Sequence, residues 1–136
     1  MKRKIFIFIL MAAVAILALG SCLSTQGSGN AQSGIDWEGV YKGTIPAADC
    51  PGINVTMKLK KDQSFELGYE YIDKGDKPFT WTGKFKWDDT GNIVILDTAD
   101  GPNYYKVEKT RLIQLDMKGK PIKGKLAANY TLKKVP

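Results

Sequence analysis

The sequence predicts an all-β domain: a small antiparallel up-and-down barrel of about six to eight strands, placed after an export leader. Three observations carry that expectation. From Val40 onward apolar and polar residues alternate with period two, the mark of strands with one buried and one wet face. The alternating stretches are joined by short turns rich in Asp, Gly and Asn. Beyond the leader no stretch carries a helical period, and a meander of that many strands loses its exposed edges by closing on itself.

The leader comes first. Met1-Lys2-Arg3-Lys4 is a short basic start, and Ile5 to Leu19 is a fifteen-residue apolar run, short for a membrane span and flanked like an export signal. Leu19-Gly20-Ser21-Cys22 resembles a lipoprotein signal-peptidase box, which makes Cys22 the residue that takes a covalent lipid. Acyl burial contributes about 0.8 kcal/mol per CH₂, so a multiply acylated Cys22 holds a chain at a membrane without a spanning helix. Leu23 follows in place of the inner-membrane retention aspartate, and by that sorting rule the anchor lies in the outer membrane, with the domain facing the periplasm. Residues 1–21 are thus expected as leader, 22–36 as lipidated cysteine and flexible tether, and 37–136 as the barrel domain. The Ser- and Gly-rich stretch from Leu23 to Gly34 spans on the order of 20 Å as a coil.

Each strand follows from its residues. Val40 to Ile45 is β-branched and aromatic, and Pro46 ends it. Ile53, Val55, Met57 and Leu59 then alternate with polar partners, as do Phe65, Leu67, Tyr69 and Tyr71. Phe79, Trp81, Phe85 and Trp87 share one face of a fourth strand with Gly83 between them. Lys61-Asp62-Gln63, Asp73-Lys74-Gly75-Asp76 and Asp88-Asp89-Thr90-Gly91-Asn92 supply the turns. Shorter strands are expected at Ile93–Leu96, Tyr104–Lys109, Leu112–Met117 and Asn129–Leu132.

Charge and composition exclude several function classes. The formal net charge is +6, but Lys2, Arg3 and Lys4 lie in the leader; without them seventeen basic residues face fourteen acidic ones, a net +3. That balance, with Arg111 the only arginine after the leader, gives no footprint for nucleic acid. The chain has no histidine, which removes the commonest general base and any Cys–His nucleophile. The acidic pairs Asp88–Asp89 and Asp97–Asp100 sit in turn sequences beside glycines, so an enzyme is not expected. Lys118, Lys120, Lys123 and Lys125 form a basic stretch, read either as a solvated hairpin or as a lipid-headgroup contact.

Two groups of residues are candidates for function. The first is the rigid turn from Pro46 to Gly52, where Asp49 and Cys50 sit between two prolines. With Cys22 acylated, Cys50 has no partner within the chain, and it is a buried thiol, an interchain partner or a free ligand. The second is the ladder Phe79, Trp81, Phe85 and Trp87. A barrel of this size is either filled by side chains or holds one small apolar ligand, so the ladder is core or calyx.

The turn also carries a resemblance. Tyr41-x-Gly43-Thr44-Ile45-Pro46-x-Ala48-Asp49-Cys50-x-Gly52-Ile53, with Asp62-x-x-Phe65, Phe85-x-Trp87, Tyr105, Leu112-x-x-Leu115-Asp116-x-x-Gly119-x-x-Ile122 and Tyr130-x-Leu132, is similar to the N-terminal domain of NlpE-type lipoproteins. The likeness runs from Trp37 to about residue 133. It implies a lipocalin-like barrel, a role in envelope stress or copper tolerance, and an envelope stress sensor or another envelope protein as partner. The metal it implies is Cu(I), which prefers thiolate and thioether donors; this chain offers Cys50, Met57 and Met117. Family members commonly carry Cys-Ala-Asp-Cys at the turn, whereas this chain reads Ala47-Ala48-Asp49-Cys50 and lacks the first thiol. A carrier of a small apolar ligand or lipid is the alternative reading.

Overall fold

The computed structural model describes residues 29–136. The leader, Cys22 and most of the tether lie outside the described residues. Eight strands close into one antiparallel barrel in sequence order: β1 (Gly39–Ile45), β2 (Ile53–Leu59), β3 (Ser64–Tyr71), β4 (Phe79–Trp87), β5 (Ile93–Thr98), β6 (Gly101–Glu108), β7 (Arg111–Gln114) and β8 (Thr131–Lys134). The expected all-β up-and-down barrel is the observed fold. Its last four strands differ in extent from the expectation. β5 continues to Thr98 and β6 begins at Gly101, so the two pair across the residues expected as a loop between them. β7 ends at Gln114, because Asp116 closes a tight turn by accepting the backbone N–H groups of Lys118 and Lys120. β8 starts at Thr131, because residues Ala127–Asn129 form a single 3₁₀ turn.

The period-two pattern decides what fills the interior. Tyr41, Met57, Leu67, Val94, Leu96, Tyr105 and Leu112 point inward and are fully buried. Side chains with no exposed surface leave no water-sized space beside them, so the middle of the barrel is packed solid. The seam that closes the barrel is short, pairing Tyr41 with Lys134 and Lys42 with Lys133. Gly43 makes the seam possible: a Cβ there would run into the Thr131 carbonyl oxygen and lie 2.9 Å from Leu132 Cδ2.

The two ends of the barrel are built differently. The β2–β3, β4–β5 and β6–β7 turns gather at one end, the foot, together with the start of β1 and the end of β8. The segment expected as the end of a flexible tether is instead docked there. Asn30 caps a one-turn helix, α1 (Ala31–Gly34), by accepting the Ser33 N–H at 3.0 Å. Ala31 is buried, its N–H donates to Asn92 Oδ1 at 3.0 Å, and the Gln32 N–H donates to the Gly91 carbonyl at 2.9 Å. Gly91 has φ +68° and lies so close to Asn30 that a Cβ would collide with it, so only glycine suits the position. Trp37 then closes the foot from below against Phe85 and Trp87. Of the segment expected as tether, residues 30–36 are held against the barrel by apolar contact and these hydrogen bonds, and residues 22–28 lie outside the described residues.

The barrel rim as a candidate functional site

The opposite end, the rim, is formed by the β1–β2, β3–β4, β5–β6 and β7–β8 loops, and it holds the turn that the sequence singles out. The Pro46–Gly52 turn folds back tightly over the end of β1. Gly52 is buried, and a Cβ on it would sit 2.9 Å from Thr44 Cγ2 and 3.2 Å from the Ile45 carbonyl oxygen. Its carbonyl accepts twice, from the Ile72 N–H at 3.1 Å and from the Cys50 thiol at 3.2 Å. Cys50 is thus half-buried and turned onto its own loop. Asp49 projects to solvent and takes Lys74 Nζ at 2.6 Å, so an ion pair joins the β1–β2 loop to the β3–β4 loop. Lys74 holds the Asp49 carboxyl below its ordinary value, chiefly through that hydrogen bond, and Asp49 in turn raises Lys74.

Beside this pair the rim carries an aromatic cluster. Tyr69 meets Phe79 at 5.6 Å and Trp81 at 5.5 Å, the second contact nearly perpendicular, and Phe79 and Trp81 touch at 5.3 Å. Rings that meet edge to face at these distances pack on one another and leave no slot between them. Phe79 is the most exposed of them. Below lies Tyr105, whose hydroxyl is buried with no hydrogen-bond partner among the described residues. The Tyr69 hydroxyl is near enough to influence its ionisation but makes no hydrogen bond of normal geometry with it. Burial pushes both phenols above their ordinary value.

The ladder of β4 is therefore not one lining. Phe85 and Trp87 belong to the foot with Trp37, while Phe79 and Trp81 belong to the rim with Tyr69 and Tyr71. The gap that Gly83 leaves between them is taken by the Phe65 ring, 3.1 Å from where a Cβ would stand.

The donors considered for Cu(I) do not converge. Cys50 is on the rim, Met57 is fully buried on the inner wall, and Met117 is 84% exposed. Met57 lies four residues along β2 from Ile53, roughly 13 Å below the rim. Met117 lies in the β7–β8 connection, lining a hollow with Pro102 and Tyr104 of β6 that Cys50 does not line. No three His, Cys, Asp or Glu side chains gather into a metal-sized group among the described residues. As placed among the described residues, Cys50, Met57 and Met117 do not form a Cu(I) site.

Lys74, Tyr69, Tyr105 and the docking role of Asn30 and Trp37 were not legible in the sequence as site residues. Lys74 reads only as a turn residue, and nothing local marks its pairing with a residue 25 positions away. Tyr69 and Tyr105 read as ordinary inward positions.

Comparison with known proteins places this geometry. Residues 41–125 match the family model of the NlpE N-terminal domain. The chain belongs to the NlpE family. It is 30% identical over 93 residues to lipoprotein NlpE of Escherichia coli (strain K12), covering 68% of this chain and 39% of that protein. It is 30% identical over 109 residues to the 17 kDa lipoprotein of Treponema pallidum (strain Nichols), covering 71% of this chain and 69% of that one. Among solved structures, a chain from Shewanella oneidensis superposes with a TM-score of 0.71 at 43% identity, covering 77% of this chain and 94% of that one. The Cpx pathway activator NlpE from Escherichia coli superposes with a TM-score of 0.55 at 26% identity, covering 64% of this chain and 46% of that one. This chain thus spans less than half the length of the Escherichia coli relative. Lipoprotein relatives of this kind associate the family with the cell envelope.

Proposed function

We propose that this NlpE-family chain is a non-enzymatic, lipid-anchored contact domain of the bacterial envelope, reporting on envelope stress from the outer membrane toward the periplasm. The observation that carries the reading is the rim: a rigid turn latched by Asp49 and Lys74 on top of a filled barrel. A solid interior favours a scaffold that presents loops over a carrier that encloses a ligand. The Escherichia coli relative is described as an activator of the Cpx pathway, and the same rim turn lies within the matched domain. The copper branch of the family gains no support from the donor geometry here. The partner is an envelope stress sensor that reads the β1–β2 and β3–β4 loops of the rim, which Asp49 and Lys74 join.

The test is a transcriptional reporter of the pathway that the Escherichia coli relative activates, in cells lacking their own NlpE. Overproduction of this lipidated chain is expected to raise the reporter, and Asp49→Lys to lower that response at equal protein level. A correctly anchored chain that leaves the reporter flat would refute the reading.

A further inference from the structure

The outer surface of the barrel is not uniform. On β2 and β4 the outward positions are Asn54, Thr56 and Lys58, and Thr80, Thr82 and Lys84, as expected for a face turned to water. On β5–β7 the same parity turns Ile93, Ile95, Tyr104 and Ile113 outward, because Val94, Leu96, Tyr105 and Leu112 point into the core. The register sets them side by side: Ile95 pairs with Tyr104, and Lys106 lies between Ile93 and Ile113. Two shallow hollows of about 550 Å³ and 230 Å³ meet at Pro102 and Tyr104 on this face, and the smaller is lined by Met117 and Ile122. The patch is half-buried, with the β7–β8 turn at Gly119 against the Tyr104 ring, and Met117 is its most exposed member. What it still shows to solvent is an apolar surface that the filled interior does not use.

The charge around the patch is mostly positive. Lys86, Lys118 and Lys120 border it with no carboxylate in ion-pair range among the described residues. Of the acids nearby, Glu108 is held by Arg111 and Lys106, Asp116 is occupied by two backbone N–H groups, and Asp97 and Asp100 are unengaged, fewer than the free lysines. The N-terminal segment joins the barrel at the same face: Asn30 docks on Gly91–Asn92, the turn that opens β5. From Cys22 to Gly29 there are eight residues, which reach at most about 25 Å when extended.

We propose that the β5–β7 outer face rests on an anionic phospholipid surface. The barrel then lies on its side at the membrane that holds its anchor. Ile95, Tyr104, Ile113 and Met117 meet the headgroup–acyl boundary, and Lys86, Lys118 and Lys120 meet headgroup phosphates. A short leash leaving at the foot of this wall brings it, and not the opposite wall of β1 and β2, to the bilayer. A second copy seated on the same face would bring the lysines of both together, which like-charge repulsion opposes.

The test uses the mature lipidated chain in vesicles of phosphatidylethanolamine and phosphatidylglycerol. A fluorophore is placed by Ile113→Cys, or by Thr56→Cys on the opposite wall, each with Cys50→Ser, and a quencher is attached to the lipid headgroups. The label at position 113 is expected to be quenched several-fold more than the label at 56. The difference should shrink with Lys118→Glu plus Lys120→Glu, or when phosphatidylcholine replaces phosphatidylglycerol. Equal quenching at the two positions overturns the proposal. So does strong energy transfer between labels at 113 on different molecules, which would assign the face to a second copy. So does quenching at 113 that appears only after a soluble envelope extract is added. Matching urea midpoints for the two labelled proteins show that neither substitution has disturbed the fold.

Discussion

Trp37 stands edge-on to Trp87, with ring centroids 5.5 Å apart and planes inclined at 72°. It also meets Phe85 at 5.7 Å and 89°, and its Nε1 donates to the Gln32 carbonyl at 3.2 Å. One side chain thus ties the N-terminal segment to the inner wall of β4. The chain that leads into β1 is thereby attached to the core of the barrel instead of to its surface.

Trp37→Ala should therefore destabilise the whole domain. Loss of a buried aromatic typically costs about 3–5 kcal/mol, and Trp37 is half-buried, so roughly 2–3 kcal/mol is expected by urea unfolding. A change below about 0.5 kcal/mol, the range of ordinary surface substitutions, would show that the segment is not part of the folding unit.

Two glycines in strands should respond in opposite ways. Gly43→Ala drives a methyl into the Thr131 carbonyl at the β1–β8 seam, where backbone must give way, and about 2–3 kcal/mol of destabilisation is expected. At Gly68 the nearest atom to a new Cβ is Thr80 Oγ1 at 3.7 Å, an ordinary contact. Gly68→Ala should be neutral or stabilising by up to about 1 kcal/mol, since alanine loses less backbone entropy on folding. Equal effects at the two sites would mean that the seam is not tight.

Strand identity was legible because period two is local: Met57, Leu67 and Phe85 declare their inward faces from neighbours two residues away. Closure into a barrel followed from strand count and edge physics. The docked segment was not legible, because Asn-Ala-Gln-Ser-Gly has the composition of a linker, and its order comes from Gly91 and Asn92 some sixty residues on. The site was legible only in part. Pro46, Asp49, Cys50 and Gly52 mark a rigid turn, but Lys74 depends on where two loops meet at the rim. The β4 ladder suggested one surface, whereas Phe65 from the neighbouring strand divides it.

The Asp49–Lys74 latch gives the rim a pH window. Asp49 is lowered from its ordinary 3.8 in the folded chain, so its contribution is present above that value and is lost as pH falls through the lowered one. Lys74 is raised from 10.5, so its contribution is present below that value and is lost as pH rises through the raised one. Both partners hold across the neutral range. At neutral pH Lys74→Ala should raise the rate at which a small reagent labels Cys50 by at most several-fold, the ceiling for a solvent-exposed pair, with little change in global stability. An unchanged rate would mean that the latch does not govern the turn.

Tyr105→Phe should be neutral or stabilising. A buried hydroxyl without a partner carries a desolvation cost of about 1–3 kcal/mol that its removal relieves, while the ring keeps its packing. Tyr41 is the control, because its hydroxyl donates to the Trp37 carbonyl at 2.7 Å, and burial followed by the nearby Asp36 charge pushes its pKa up to about 12. Tyr41→Phe should therefore destabilise, by about 1 kcal/mol. A loss at Tyr105 as large as at Tyr41, by urea unfolding, would mean that its hydroxyl has a partner, with the neighbouring Tyr69 hydroxyl the first candidate.

Cu(I) competition against a tight chelator should find no high-affinity site in the single chain. A stable Cu(I) centre needs two or more soft donors brought together, and here the thiolate of Cys50 stands alone on the rim while Met57 is enclosed in the core and Met117 faces solvent over β6. Pulling Met57 out to the rim would empty the centre of a packed barrel, at a cost comparable to a large core truncation of about 2–5 kcal/mol. The titration of the parent chain and of Cys50→Ala should therefore coincide. Tight binding lost in Cys50→Ala would refute this, and its stoichiometry would say how: one metal per chain requires a donor that the rim acquires by rearrangement, whereas one metal per two chains requires Cys50 thiolates from two molecules to meet.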